Sequence, residues 1–155
     1  MGIGPAFTLV CRDCETEADR EAAMRIRFEV FVDEQGVPPE LEADELDAAA
    51  LHLLAVNGLV NGLDGEPVGT ARVVDKGDGV AKIGRVAVRK AYRGLGVGEA
   101  LMRRAINAAA ARGMTTALLD AQLPVIPFYE RLGFVAEGPI FDDAGIPHRR
   151  MTRLL

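Results

Sequence analysis

Gly84-Arg85-Val86-Ala87-Val88-Arg89-Lys90-Ala91-Tyr92-Arg93-Gly94-Leu95-Gly96-Val97-Gly98-Glu99-Ala100-Leu101-Met102 reads as an apolar strand, a loop of alternating glycines and the start of an apolar-periodic helix. A strand, a glycine loop and a helix N-terminus together make an anion cradle, because unpaired helical N–H groups and the helix dipole favour phosphate oxygens. The stretch predicts a bound phosphorylated cofactor.

Outward from this run, residues 7–12 read as a strand, and Thr16 can cap a helix over 17–34 with Asp19 in its first turn. Ala23, Met24, Ile26, Phe28, Val30 and Phe31 recur at helical spacing and should face a core. Gly36-Val37-Pro38-Pro39 stops that helix, and an acidic connection follows with room for a short helical turn. Strands are expected at 51–56, 67–74 and 80–88, with a turn at 57–66 and a hairpin over 75–79. The helix after the glycines should run over 97–111 and end at Gly113. A strand at 115–120, a helix at 126–132 and strands at 134–137 and 147–155 complete the chain. Meandering strands pair antiparallel, whereas a helical crossover from 80–88 to 115–120 makes a parallel pair. The expectation is one α+β domain over 1–155 with a mixed, mostly antiparallel sheet around a parallel pair.

At 155 residues and 49% hydrophobic content, the chain can bury a core of its own. No apolar stretch approaches the ~20 residues that span a bilayer. The first residues lack the charged-then-apolar layout of a signal peptide, so a soluble cytoplasmic protein is the default expectation. Cys11 and Cys14 form a lone Cys-x-x-Cys; zinc needs about two further ligands, and reduced thiols with no metal are expected.

The net charge of −5 argues against nucleic acid as a partner. Residues 33–47 hold seven acidic side chains and no basic one, while 82–104 hold seven basic ones against Glu99 alone. One region suits a cation and the other a polyanion, although either run could simply be a solvated face.

Gly94-x-Gly96-x-Gly98 has Glu99 where a dinucleotide fingerprint needs its third glycine, and no Gly-Lys-Ser/Thr ends the loop as in a P-loop. Arg93-x-x-Gly96-x-Gly98 instead resembles the acyl-CoA signature of the GNAT (Gcn5-related N-acetyltransferase) superfamily. Pro127-Phe128-Tyr129-Glu130-Arg131-Leu132-Gly133-Phe134 is similar to its late Tyr-x-x-x-Gly-Phe motif. The segments Phe31-Val32-Asp33-Glu34-Gln35-Gly36-Val37-Pro38 and Phe141-Asp142-Asp143-Ala144-Gly145-Ile146-Pro147-His148 further resemble the ElaA-like branch. The element order also resembles that fold.

The resemblance implies that the N–H groups of Gly94, Leu95, Gly96, Val97 and Gly98 cradle the diphosphate of coenzyme A, with Arg93 adding charge. It implies that Val86, Ala87 and Val88 pair with the pantetheine arm through their backbone, that the parallel strands part beyond this point to leave a slot for the thioester, and that Phe128 lies on the cofactor. Tyr129 takes the role of acid toward the departing thiolate, and Gln122 stands where many relatives carry Asn. No carboxylate lies on the strand before the glycines, so the base must come from elsewhere; Glu34, His52 and His148 are the candidates. The implied activity is transfer of an acetyl group from acetyl-CoA to a primary amine by direct attack in a ternary complex. The acidic stretch suggests a cationic small molecule or peptide as acceptor, and a homodimer is left open. A non-catalytic acyl-CoA sensor is the alternative.

Overall fold

Leu53 and Ala55 face one side of the sheet, while Leu54 and Val56 face the other, and all four are fully buried. An apolar run covered on both faces sets the layering. The computed structural model describes residues 7–60 and 63–155. The elements are β1 (Leu9–Asp13), α1 (Glu17–Arg27), a π-helical continuation (Phe28–Glu34), α2 (Pro39–Glu42) and a 3-10 turn (Glu45–Ala48). There follow β2 (Leu51–Val60), β3 (Leu63–Asp75), β4 (Val80–Val88), α3 (Val97–Ala111), β5 (Thr116–Gln122), α4 (Ile126–Arg131), β6 (Val135–Asp143) and β7 (Ile146–Leu154). The sheet order is β1-β2-β3-β4-β5-β7-β6, antiparallel throughout except for β4 and β5. This is the mixed α+β sheet with a central parallel pair that the crossover predicts.

The larger core joins Val97, Leu101, Met102, Ala105 and Ala109 of α3 to one sheet face. On the other face Ala22, Ala23, Ile26 and Val30 pack on Leu54, Val56 and Ala87. Met24 and Phe28 are only partly buried, and Phe31 is packed at the margin of that second core. Thr16 caps α1 through its Oγ1, which accepts from the Asp19 N–H at 3.1 Å. Gly69 lets α3 sit close to the sheet: a Cβ there would come within 2.9 Å of Val97 Cγ1 and 3.1 Å of the Ala87 carbonyl. This close approach seats the N-terminus of α3 against the end of β4.

Three boundaries differ from expectation. The 57–66 stretch is mostly strand, since β2 continues to Val60 and β3 begins at Leu63, with Asn57 opposite Glu66 in the ladder. Residues 61 and 62 at its tip, like residues 1–6, lie outside the described residues. β6 reaches Asp143, and a tight turn with Ala144 at φ 52° and Gly145 at φ 80° joins it to β7. The expected single helix over 17–34 is α-helical only to Arg27; beyond it, bonds such as Gln35 N–H to Val30 carbonyl (3.2 Å) span five residues. Such π-helical stretches concentrate at functional sites. Among the described residues, no helix is long and apolar enough to cross a membrane.

Candidate active site

The parallel ladder between β4 and β5 holds for only three pairs, Val80–Thr116 to Lys82–Leu118, although β4 runs on to Val88 and β5 to Gln122. The two strands part beyond Lys82. A bulge on β4 lies at the parting: Thr70 pairs with Ala87 but Arg72 with Gly84, and Arg85 takes φ 51°. A non-glycine residue in the left-handed region is strained and is held there by its surroundings. Here three groups hold it: Arg85 donates to the Glu42 carboxylate (2.8 Å), to the Glu42 carbonyl (3.1 Å) and to Asp44 (3.3 Å).

A cavity of about 920 Å³ fills the gap. Its floor is β4, lined by Val86, Ala87 and Val88, and one end is closed by Arg93, Gly94, Gly96, Val97 and Gly98. Gly94 (φ 77°) and Gly96 (φ 84°) need the left-handed conformation, and nothing lies within 4 Å of a Cβ at either. Gly96 caps α3 without any side-chain hydrogen bond, so the first-turn N–H groups meet no side-chain acceptor. The residues present therefore fit a diphosphate: donors, a helix dipole and open space in front of them. Leu95 stands exposed at the loop tip, outside the cavity wall.

Arg93 is tied down at both ends. Its Nε donates to the Val88 carbonyl (2.9 Å) and its Nη2 to Glu34 (2.7 Å). The other arginines of the basic stretch are paired as well: Arg89 with Glu29 and Glu66, Arg103 with Glu99, and Arg104 with Asp13. The charge expected for a polyanion is thus largely matched within the protein, and the backbone cradle is the main anion-binding feature.

Tyr129 and Phe128 on α4, Gln122 at the end of β5 and His148 on β7 line the same cavity. Tyr129 packs edge-on against Phe128 and Phe134, and burial pushes its hydroxyl up to about 12. It stays protonated at neutral pH. Gln122 does not face a free amide partner in the cavity; it exchanges hydrogen bonds with Gln35 at 2.9 and 3.4 Å, bridging β5 to the end of the π-helical stretch.

The three candidate bases fare differently. Glu34 is held by Arg93 and does not line the cavity. His52 lies outside it too, with Nε2 bonded to the Asp47 carbonyl (2.8 Å). His148 is buried on the cavity wall, stacked on Phe141.

Much of the acidic stretch is not free as expected. Glu42, Asp44 and Asp47 meet Arg27, Arg72 and Arg85 in one cluster, with Arg27–Glu42 at 2.8 Å and Arg72–Asp44 at 2.7 Å. Three charges meet three charges. Asp143 on the β6–β7 turn lines the cavity and, among the described residues, has no ion pair. Cys11 and Cys14 are free thiols pushed up by burial, Cys14 to about 12, and no metal-holding group of side chains exists among the described residues.

Sequence reasoning missed Phe31, Gln35, Arg85 and Asp120 as wall residues. Nothing local marks them: Arg85 adopts a conformation that normally signals glycine, and Gln35 depends on the π-helical register.

The fold and this site define an acyltransferase-type scaffold, and the comparisons with known proteins agree. The profile described as the acetyltransferase (GNAT) family matches residues 14–134, and the chain belongs to that family. The uncharacterised N-acetyltransferase YjcF of Bacillus subtilis is 39% identical over 140 residues, covering 90% of this chain and 95% of its own. The crystal structure of an acyl-CoA N-acyltransferase from Pseudomonas aeruginosa superposes with a TM-score of 0.78 at 33% identity, covering 96% of this chain and 99% of that one. Escherichia coli ElaA superposes with a TM-score of 0.80 at 28% identity, covering 94% of this chain and 99% of that one.

Proposed function

We propose that the protein transfers an acetyl group from acetyl-CoA to a primary amine of a small molecule or peptide, by direct attack within a ternary complex. One observation carries the reading: the glycine cradle, the parted strands and Tyr129 all open on a single cavity. The bound cofactor supplies an acyl carbon activated as a thioester. The N–H groups of the Gly94–Gly98 segment and the start of α3 hold phosphate oxygens, and Arg93 keeps that loop turned against Val88. The open edge of β4 at Val86 and Val88 aligns the pantetheine arm, with a backbone N–H there to receive charge on the carbonyl oxygen. Phe128 packs beside the cradle, close to Gly98. Tyr129 donates its hydroxyl proton toward the departing thiolate. The Gln35–Gln122 bridge limits the acceptor's entrance. If the acceptor is cationic, Asp143 is the carboxylate left on the cavity to attract it: Glu42 is paired with Arg27 and Arg85, and Asp33, Glu40 and Glu45 of the acidic stretch do not line it.

The test is thiol release from acetyl-CoA with methylamine, spermidine, benzylamine, glycine and glycylglycine, in the wild type and in Tyr129→Phe. Amine-dependent release that collapses in the variant supports the enzyme. Tight coenzyme A binding with no release for any amine would instead favour a sensor.

A further inference from the structure

His148 is held in one tautomer. Its Nδ1 lies 2.7 Å from the Ile146 carbonyl oxygen, which can only accept, so Nδ1 carries the hydrogen and Nε2 keeps a lone pair in the neutral ring. No other hydrogen bond reaches that ring among the described residues. The ring is 9% exposed, stacked on Phe141 at 6.0 Å, and stands directly across the ladder from Gln122. It shares its cavity with Tyr129 and with the parted end of β4. We infer that His148 is the general base of the reaction, taking the proton of the attacking amine at Nε2 directly or through one water; the assignment rests on the acetyltransferase reading above.

The competing carboxylates are engaged, apart from Asp143, which lines the cavity but is exposed at the end of β6. Asp120 on β5 is held by Lys82 (3.2 Å) and Arg150 (3.0 Å), Glu42 by Arg27 and Arg85, and Glu34 by Arg93. A carboxylate locked between cations is a poor proton acceptor, because protonation would leave the cations unmatched. The charged groups around the imidazole are therefore Asp120 with its two cations, Asp143 at the end of β6, Glu137 opposite Arg150, and the Arg85–Glu42 pair on the far wall. Tyr129 on α4 faces the cavity as a neutral hydroxyl.

The step balances. The amine nitrogen bonds to the acyl carbon as the carbon–sulfur bond breaks. The surplus amine proton goes to His148 Nε2, the thiolate takes the Tyr129 proton, and solvent restores both residues.

Two variants test this, His148→Asn, which can keep a donor toward the Ile146 carbonyl, and His148→Ala. Each is assayed by thiol release with whichever of the five amines the wild type uses best, alongside thermal unfolding and coenzyme A binding. The expected result for His148→Asn is a kcat at least 100-fold lower at pH 7 with coenzyme A affinity within 3-fold, the deficit shrinking as pH approaches the amine's own pKa. A long-range ¹H–¹⁵N spectrum of histidine-labelled protein should show the Nδ1–H tautomer for this ring. Wild-type-like rates in both variants at every pH would overturn the base while leaving the acetyltransferase reading standing. So would an Nε2–H tautomer. No amine-dependent release by the wild type overturns both.

Discussion

Arg27 Nε lies 2.8 Å from Glu42 Oε2, with the two side chains 1% and 3% exposed. An ion pair this dry is worth little over an apolar substitute, but removing one partner strands a buried charge. The pair also joins α1 to the acidic connection, and Arg85 joins the same Glu42 to the β4 bulge. The cavity wall at Glu42 and Arg85 is therefore built on charge pairing. Glu42→Gln should cost about 3–5 kcal/mol of stability, read from urea unfolding. A loss under 1 kcal/mol would mean the cluster rearranges freely.

Acid should weaken the same cluster. Burial alone would raise the carboxyls of Asp44 and Asp47. The hydrogen bonds from Arg72 to Asp44, and from Arg27, the Asp44 N–H and Arg72 to Asp47, outweigh it and hold both below the ordinary carboxylate range, Asp47 well below it. A carboxyl whose folded pKa is depressed stabilises the fold above its unfolded pKa, about 3.9, and that stability is lost as pH falls below it. Thermal midpoints should therefore drop steeply below about pH 4, and the drop should be shallower in Asp47→Asn.

Tyrosine titration is a clean readout, since the chain holds two tyrosines and no tryptophan. Burial raises Tyr129 to about 12, and a hydrogen bond to Glu66 raises Tyr92. Absorbance at 295 nm should rise only beyond pH 10, and in Tyr92→Phe one step should remain near 12. A step at pH 10 in that variant would place the Tyr129 hydroxyl in water. By the same reasoning, kcat should show no loss from Tyr129 ionisation up to pH 10.

Gly69→Ala probes the seating of α3. The new methyl meets Val97, Leu101 and the Ala87 carbonyl at 2.9–3.1 Å, so the helix must shift. Overpacking of this kind costs about 1–3 kcal/mol. Coenzyme A affinity should fall along with stability, measured by calorimetry, because the moved end is the cradle. Unchanged affinity would show that the loop adapts independently of the helix.

Asp143→Asn should raise KM for a cationic acceptor such as spermidine about 5-fold or more, and leave KM for benzylamine carrying a neutral ring less affected. Coenzyme A affinity should stay the same in both cases. Equal effects on every amine would remove Asp143 from acceptor recognition.

Much of the fold was legible because its signals are local. The glycines around α3, the 75–79 hairpin and the apolar run of β2 each follow from a few neighbouring residues. The shape of the glycine loop was legible for the same reason: Gly94 and Gly96 announce left-handed backbone, and both adopt it. The turn expected at 57–66 failed because cross-strand pairing to β3 stabilises an extended chain that glycine and asparagine alone disfavour.

Which candidate residues share the cavity was not legible. The sequence puts Glu34 first, ahead of His52 and His148, but packing puts only His148 of the three on the cavity and ties Glu34 to Arg93 and His52 to the Asp47 carbonyl. The acidic run reads as a cation site, but Arg27, Arg72 and Arg85, from α1, β3 and β4, pair with its Glu42, Asp44 and Asp47. The sequence by itself determined the element order, the parallel crossover and the strand–glycine–helix cradle, since these depend on backbone preferences within a few residues. Only the tertiary structure decided which charges remain free, where β4 and β5 part, and which histidine lines the cavity, because charge pairing and cavity walls arise between segments far apart in the chain.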